Sequence, residues 1–326
     1  MVFLKNLQEY SHYGFALIII LALPLGHFFP SMSQLNIENP YILAIMLYPM
    51  MINLYIEEIF KILPNFRLVL VCVTVNFIII PLWGAIWAYF LFENTNPYLA
   101  VGFILNFTIP CSEIVMVRGG YAKGRFESFR FIAALNFVLS IFMVPTMMWL
   151  LADNFILIHP IVFINKIFTV LALPFLAGII TRHLILQQIS QKRFAKKTSP
   201  IISNISTGGV LVIIFFIVSS RADIIVANYK DVFITMVGIS TLYPVIMLLK
   251  LFFSKFACDD YGDGMALICN GAVKNPILII VFATTVFGGT LVVLPAVIAP
   301  ALQIPLMLCM PKLSKLIMRF LQESND

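Results

Sequence analysis

The sequence predicts an all-α polytopic membrane protein of about ten transmembrane helices, arranged as two inverted five-helix repeats with the fourth and ninth helices broken. Three observations predict it. Of the 326 residues, 61% are hydrophobic and only 11% are charged, whereas a soluble domain carries about 25% charged residues. Apolar stretches long enough to cross a bilayer recur along the whole length. The basic residues fall on alternate connections between those stretches.

Ten spans emerge at about 20 apolar residues each: roughly 12–30, 40–59, 67–92, 97–119, 129–152, 157–181, 200–220, 231–254, 263–287 and 290–311. With the N-terminus inside, 17 of the 21 Lys and Arg residues fall on cytoplasmic connections or the C-terminal tail. That set includes Arg130, Arg182, Lys250 and the cluster Lys192, Arg193, Lys196 and Lys197. Arg221 and Lys230 fall on the other side, and Lys166 and Lys274 lie within spans. The asymmetry places both termini in the cytoplasm, in a multi-pass protein of the plasma membrane. No short apolar region with a small-residue cleavage site precedes the first span, so no cleaved signal is expected. The five cysteines are scattered, without metal-ligand spacing or a disulfide framework. Net charge of +6 follows from topology and does not indicate nucleic-acid binding.

The polar connection 186–199 divides the spans five and five. Its basic cluster reads as a solvated loop beside anionic headgroups. The first five-span repeat occupies 1–185, and 200–326 holds the remainder of the second repeat, which begins near 157. LALPLG (21–26) and LALPFLAG (171–178) each lie in the first span of a half. FIIIPLW (77–83) resembles TLYPVIM (241–247), and VPTMMWLL (144–151) parallels IPLMLCM (304–310). Because five is odd, two such units in one chain have opposite orientations, an architecture of many secondary transporters.

The fourth and ninth spans carry the chemistry. Pro110 interrupts the fourth, with Asn106, Cys111, Ser112 and Glu113 around it. Pro276 interrupts the ninth, beside Asn270, Lys274 and Asn275. In lipid, such a break is tolerated where protein or a polar cavity surrounds it. An ammonium near a helix centre costs roughly 2.5–3.5 kcal/mol on insertion scales, so Lys274 marks a substrate or ion site. A pseudo-two-fold brings the two breaks together near the midplane. Half-helix N-termini there would attract an anionic or dipolar substrate.

From span two to span five the chain resembles the bile acid/sodium symporter superfamily, most closely its arsenite-efflux permease branch. The stretches carrying the likeness are YPMMINLYIEEIF (48–60), NFIIIPLWGAIWAYFLF (76–92), IPCSEIVMVRGGYAKGR (109–125) and AALNFVLSIFMVP (133–145). The second half is similar along 274–305. The resemblance implies a panel and a core subdomain, with spans four and nine crossing in the core, and it adds Asn136 of the fifth span to the site. It implies that Cys111 is the metalloid-binding cysteine. The Glu that the permeases place in span nine aligns near Ile277, and 264–290 holds no acid. At the positions where the sodium-coupled branch has Glu and Gln, this chain has Asn270 and Lys274. The resemblance thus casts Lys274 as a tethered surrogate for the coupling cation, with Glu113 as its compensating charge. One proton joining that pair would couple transport to protons.

The function expected is secondary transport by alternating access, without sodium coupling or cofactor, of a metalloid or a small organic anion. A ligand-binding membrane receptor is the alternative outside transport. No nucleophile–base spacing indicates an enzyme, and no nucleotide-binding motif indicates a pump.

Overall fold

The computed structural model describes residues 14, 17–29, 31, 40–57, 59, 66–92, 96–111, 126–258, 261–270, 274–288 and 291–308. Regular structure among them is helical. Among the described residues, five helices are long and apolar enough to cross a membrane. They are α3 (Phe66–Phe92), α5 (Phe126–Ala152), α6 (Pro160–Gln188), α7 (Ser199–Ser220, continuous with a turn from Gln191) and α8 (Tyr229–Ala257). Shorter apolar helices lie between and around these: α1 (Leu17–Phe28), α2 (Pro40–Ile52), α4 (Pro97–Thr108), α10 (Pro276–Phe287) and α11 (Leu294–Leu308), preceded by a 3-10 turn at Leu291–Val293. A nine-residue helix, α9 (Tyr261–Cys269), precedes α10.

Proline shapes several of these helices. Pro81 has no N–H to give to the Phe77 carbonyl. The turn before it widens into a π segment over Val75–Ile79, with the Ile80 N–H bonded to the Val75 carbonyl. A second π turn, Phe194–Thr198, precedes Pro200 in the same way. The first places Asn76 within the widened turn, a feature often found at functional positions.

The helices pack in two groups. The first joins α2 to α6 and α7; the second joins α4 to α3, α5 and α11, and α8 to α9 and α11. Helices α5 and α10 touch both groups. Many residues facing outward from the bundle are large and apolar, including Phe90, Ile161, Leu173 and Leu248. That is the surface of a protein solvated by lipid.

At one end of the bundle the first group is tied by Arg182. Although it belongs to the basic residues assigned to cytoplasmic connections, it is only 3% exposed. Its Nε donates to Glu57 Oε1 at 2.9 Å and its Nη1 to the Ile52 carbonyl at 3.2 Å. The guanidinium also lies over the Tyr55 ring, 3.8 Å from its centroid, while Arg130 of α5 covers Tyr55 at 4.4 Å. A buried guanidinium needs such a partner, because a lone one would be costly.

Close approach of α4 to the Leu291–Val293 turn depends on Gly102. A Cβ there would stand 2.2 Å from the Val292 carbonyl oxygen, a backbone atom that cannot rotate away. Gly102→Ala is therefore expected to destabilise the protein by about 1–3 kcal/mol, the usual range for overpacking. Thermal melting of the purified protein in detergent checks this; an unchanged midpoint contradicts the packing.

Candidate functional site

Two X–Pro pairs set the backbone of the site. Proline disfavours helical geometry in the residue before it. Ile109, before Pro110, is extended at φ −66° and ψ 141°, and it ends α4. Asn275, before Pro276, is extended at φ −83° and ψ 103°, and it begins α10. Pro276 thus opens a helix at its first position, where a missing N–H costs nothing, instead of kinking one from within. The Asn275 side chain accepts from the Leu278 N–H at 3.2 Å, capping the helix. Asn96 and Pro97 start α4 by the same device.

The two extended segments meet. Cys111 and Lys274 form an isolated antiparallel bridge, and the Asn275 N–H donates to the Pro110 carbonyl at 3.1 Å. The described residues bring the N-terminus of α10 to the C-terminus of α4; a half-helix N-terminus following Cys111 falls outside them.

Lys274 is 2% exposed. Its Nζ donates to the Phe107 carbonyl at 3.0 Å. The last carbonyls of a helix lack intrahelical partners and carry partial negative charge. The Lys274 amine therefore caps α4. The Lys274 backbone N–H donates to Gln303 Oε1 at 2.8 Å, and Gln303 Nε2 donates in turn to the Tyr243 hydroxyl. Asn106 Nδ2 donates to the same hydroxyl at 3.1 Å. Tyr243 is held by ring contacts running from Phe92 through Phe103 and Phe107.

A second polar cluster lies on the Cys111 side. Asn270 Nδ2 donates to Cys111 Sγ at 2.7 Å. Asn270 Oδ1 accepts from Asn76 Nδ2 at 2.9 Å and from Asn136 Nδ2 at 3.0 Å. Asn76 Nδ2 also reaches Cys72 Sγ at 3.2 Å. Lys250 Nζ donates to Asn76 Oδ1 at 2.6 Å. Lys250 is fully buried, so its assignment to a cytoplasmic connection is corrected. It belongs to the buried stripe of α8 formed by Ile239, Tyr243, Ile246, Lys250 and Ser254. The Asn136 and Asn106 Oδ1 atoms are buried without a hydrogen-bond partner.

Of the anticipated residues, Asn106, Pro110, Cys111, Asn136, Asn270, Lys274, Asn275 and Pro276 are therefore placed at or beside the bridge. Ser112 and Glu113 lie outside the described residues. Sequence reasoning missed Cys72, Asn76, Tyr243, Lys250 and Gln303. The signal for Lys250 was its spacing of seven residues from Tyr243 on one helical face. Among the described residues, no group of three or more His, Cys, Asp and Glu side chains could hold a metal ion.

A family model described as the Sodium Bile acid symporter family matches residues 40–228, more than half of the chain. The chain belongs to this family. It is a multi-pass membrane transporter. Among relatives of this symporter-family chain is an uncharacterized transporter of Synechocystis, 22% identical and aligned over 96% of this chain and 89% of the relative. The arsenical-resistance protein Acr3 of Alkaliphilus metalliredigens is 22% identical, over 94% of this chain and 92% of its own. A chloroplastic protein of Arabidopsis thaliana named "Probable sodium/metabolite cotransporter BASS1" is 23% identical, over 63% of this chain and 49% of its own.

The Asn275 cap gives a direct check on the local geometry. Asn275→Ala removes the acceptor for the Leu278 N–H and is expected to cost about 1 kcal/mol. Asn275→Asp retains that acceptor and is expected to lose less. Melting midpoints of the two variants in detergent compare them.

Proposed function

We propose that this chain is a secondary transporter working by alternating access, without sodium coupling, and that it binds substrate between the 109–111 and 274–275 segments. The observation that carries the reading is the Lys274 ammonium on the Phe107 carbonyl at the end of α4. Half-helix C-termini and unwound carbonyls are where transporters of this architecture coordinate coupling cations. A tethered ammonium in that position supplies the charge itself. Glu113 is its proposed compensating partner, and a proton shared by that pair would provide coupling.

Helix lengths support the ten-span, inverted-repeat architecture. At 1.5 Å per residue, the 12 residues of α4 reach about 18 Å, short of a hydrocarbon core of about 30 Å. Helices α9 and α10, of nine and 12 residues, together reach about 31 Å across the break. The same reading keeps the repeats at 1–185 and from near 157 onward, the basic connection at 186–199, both termini in the cytoplasm and the plasma membrane as location.

Two substrate classes fit. A metalloid is favoured by Cys111, whose half-buried sulfur is a soft ligand at the bridge, and by the arsenical-resistance relative. A small organic anion is favoured by Lys274 and the N-terminus of α10. Flux of arsenite and of carboxylates into proteoliposomes, with and without sodium or a pH gradient, tests the proposal. Transport is expected without sodium, and a sodium requirement overturns the reading. Lys274→Ala is expected to lower flux about tenfold or more, the scale of a lost charge-assisted contact; full activity overturns the role given to Lys274. Arsenite resistance in cells that is lost in Cys111→Ser supports the metalloid, whereas no resistance from the wild type moves the assignment to the anion.

A further inference from the structure

The fully buried Lys250 and the Cys111 sulfur are the two ends of one hydrogen-bond chain. Lys250 Nζ meets Asn76 Oδ1 at 2.6 Å, Asn76 Nδ2 meets Asn270 Oδ1 at 2.9 Å, and Asn270 Nδ2 meets Cys111 Sγ at 2.7 Å. Every link runs the same way: Lys250 donates to the Asn76 oxygen, so the Asn76 NH2 group points away from the lysine. Asn270 must then offer oxygen to Asn76. The Asn136 NH2 group donates to the same oxygen at 3.0 Å. The Asn270 NH2 group is left facing Cys111. Reversing one carboxamide alone would set two donors against each other among buried groups and leave them unsatisfied.

We propose that Lys250 is a positioning residue for Cys111: through Asn76 and Asn270 it makes the cysteine sulfur the acceptor end of the chain and so primes it for a soft, thiol-binding metalloid substrate. Linked hydrogen bonds polarise one another in a low dielectric, so the Lys250 amine acts on the sulfur without touching it. The π turn at Val75–Ile79 contributes by carrying Asn76 into line between Lys250 and Asn270. The same chain leaves Asn136 Oδ1 as a buried oxygen without a donor, an acceptor suited to a hydroxyl of such a substrate. The inference rests on reading Cys111 as a substrate-binding residue.

The test is the rate at which limiting N-ethylmaleimide alkylates Cys111 in the full-length protein in proteoliposomes, followed at that residue by peptide mass spectrometry. Lys250→Met is expected to slow modification of Cys111 about tenfold, the upper end of what one hydrogen bond is worth. Asn76→Leu, which leaves the lysine in place and cuts the chain, is expected to slow it to a similar degree. Modification of Cys258, which lies outside the chain, should be unchanged in both variants. Should Lys250→Met fail to fold, Asn76→Leu carries the test alone. Cys111 rates equal to wild type overturn the inference, as does equal slowing at Cys258. Slowed Cys111 without arsenite flux leaves the positioning of Cys111 by Lys250 standing and overturns the metalloid as its substrate; arsenite flux with unaltered Cys111 rates does the reverse.

Discussion

A backbone that leaves helical geometry inside a bilayer has to find other partners for its N–H and C=O groups, because lipid offers none. In this protein two such departures answer each other. Pro110 and Pro276 push Ile109 and Asn275 into extended conformations, and the exposed backbone is satisfied by the Cys111–Lys274 bridge and the Asn275 to Pro110 bond. Neither segment is stable there alone. Their pairing fixes where α4 ends and α10 begins, and those helix ends decide where charge can be placed.

The two buried lysines use different solutions to the same electrostatic problem. Lys274 places its ammonium against the partial negative charge of the α4 C-terminus. Lys250 donates to a neutral carboxamide, and that bond begins a chain through Asn76 and Asn270 to a sulfur. One solution consumes a helix dipole and the other orients a chain of side-chain dipoles. Both converge on the bridge, so the Cys111 side chain and the Lys274 backbone stand next to each other with opposite chemical character.

Much of this site was legible in the sequence because proline, lysine and asparagine in apolar runs are conspicuous. Pro110, Cys111, Asn270, Lys274 and Asn275 announce themselves in that way, and the structure gathers them. Lys250 did not, because a lysine four residues inside an expected helix end looks like a snorkelling side chain. Only its phase on α8, shared with Tyr243 and Ser254, marks it as inward. Gln303 and Tyr243 are silent for another reason. Their roles come from packing between α8 and α11, and no local pattern records which distant helix will lie opposite. Pro276 was read as a break from its residue type, yet the Asn–Pro pair is a helix start, a distinction that spacing alone does not make. Arg182 was hidden similarly, since its partners Glu57 and Tyr55 are more than a hundred residues away in sequence.

The distribution of these polar contacts also bears on how alternating access could be organised. The carboxamide chain takes residues from α3, α5, α8 and the end of α9, and the Lys274 cluster takes them from α4, α8 and α11. None of these bonds reaches α6 or α7. The link from Asn275 to the α2 group is a contact with Met50 Sδ at 3.2 Å, and a thioether is a weak acceptor. Strong, directional bonds therefore unite one set of helices, while the boundary toward α2 is largely apolar, with the Arg130–Tyr55 contact at one end and a 3.4 Å bond from Lys166 to the Val286 carbonyl. Sliding across that boundary breaks few hydrogen bonds, whereas separating α4 from α10 would strand backbone groups and an ammonium in lipid. Under alternating access, the bridge and both lysines would travel as one body, and the substrate site would change its exposure without being taken apart.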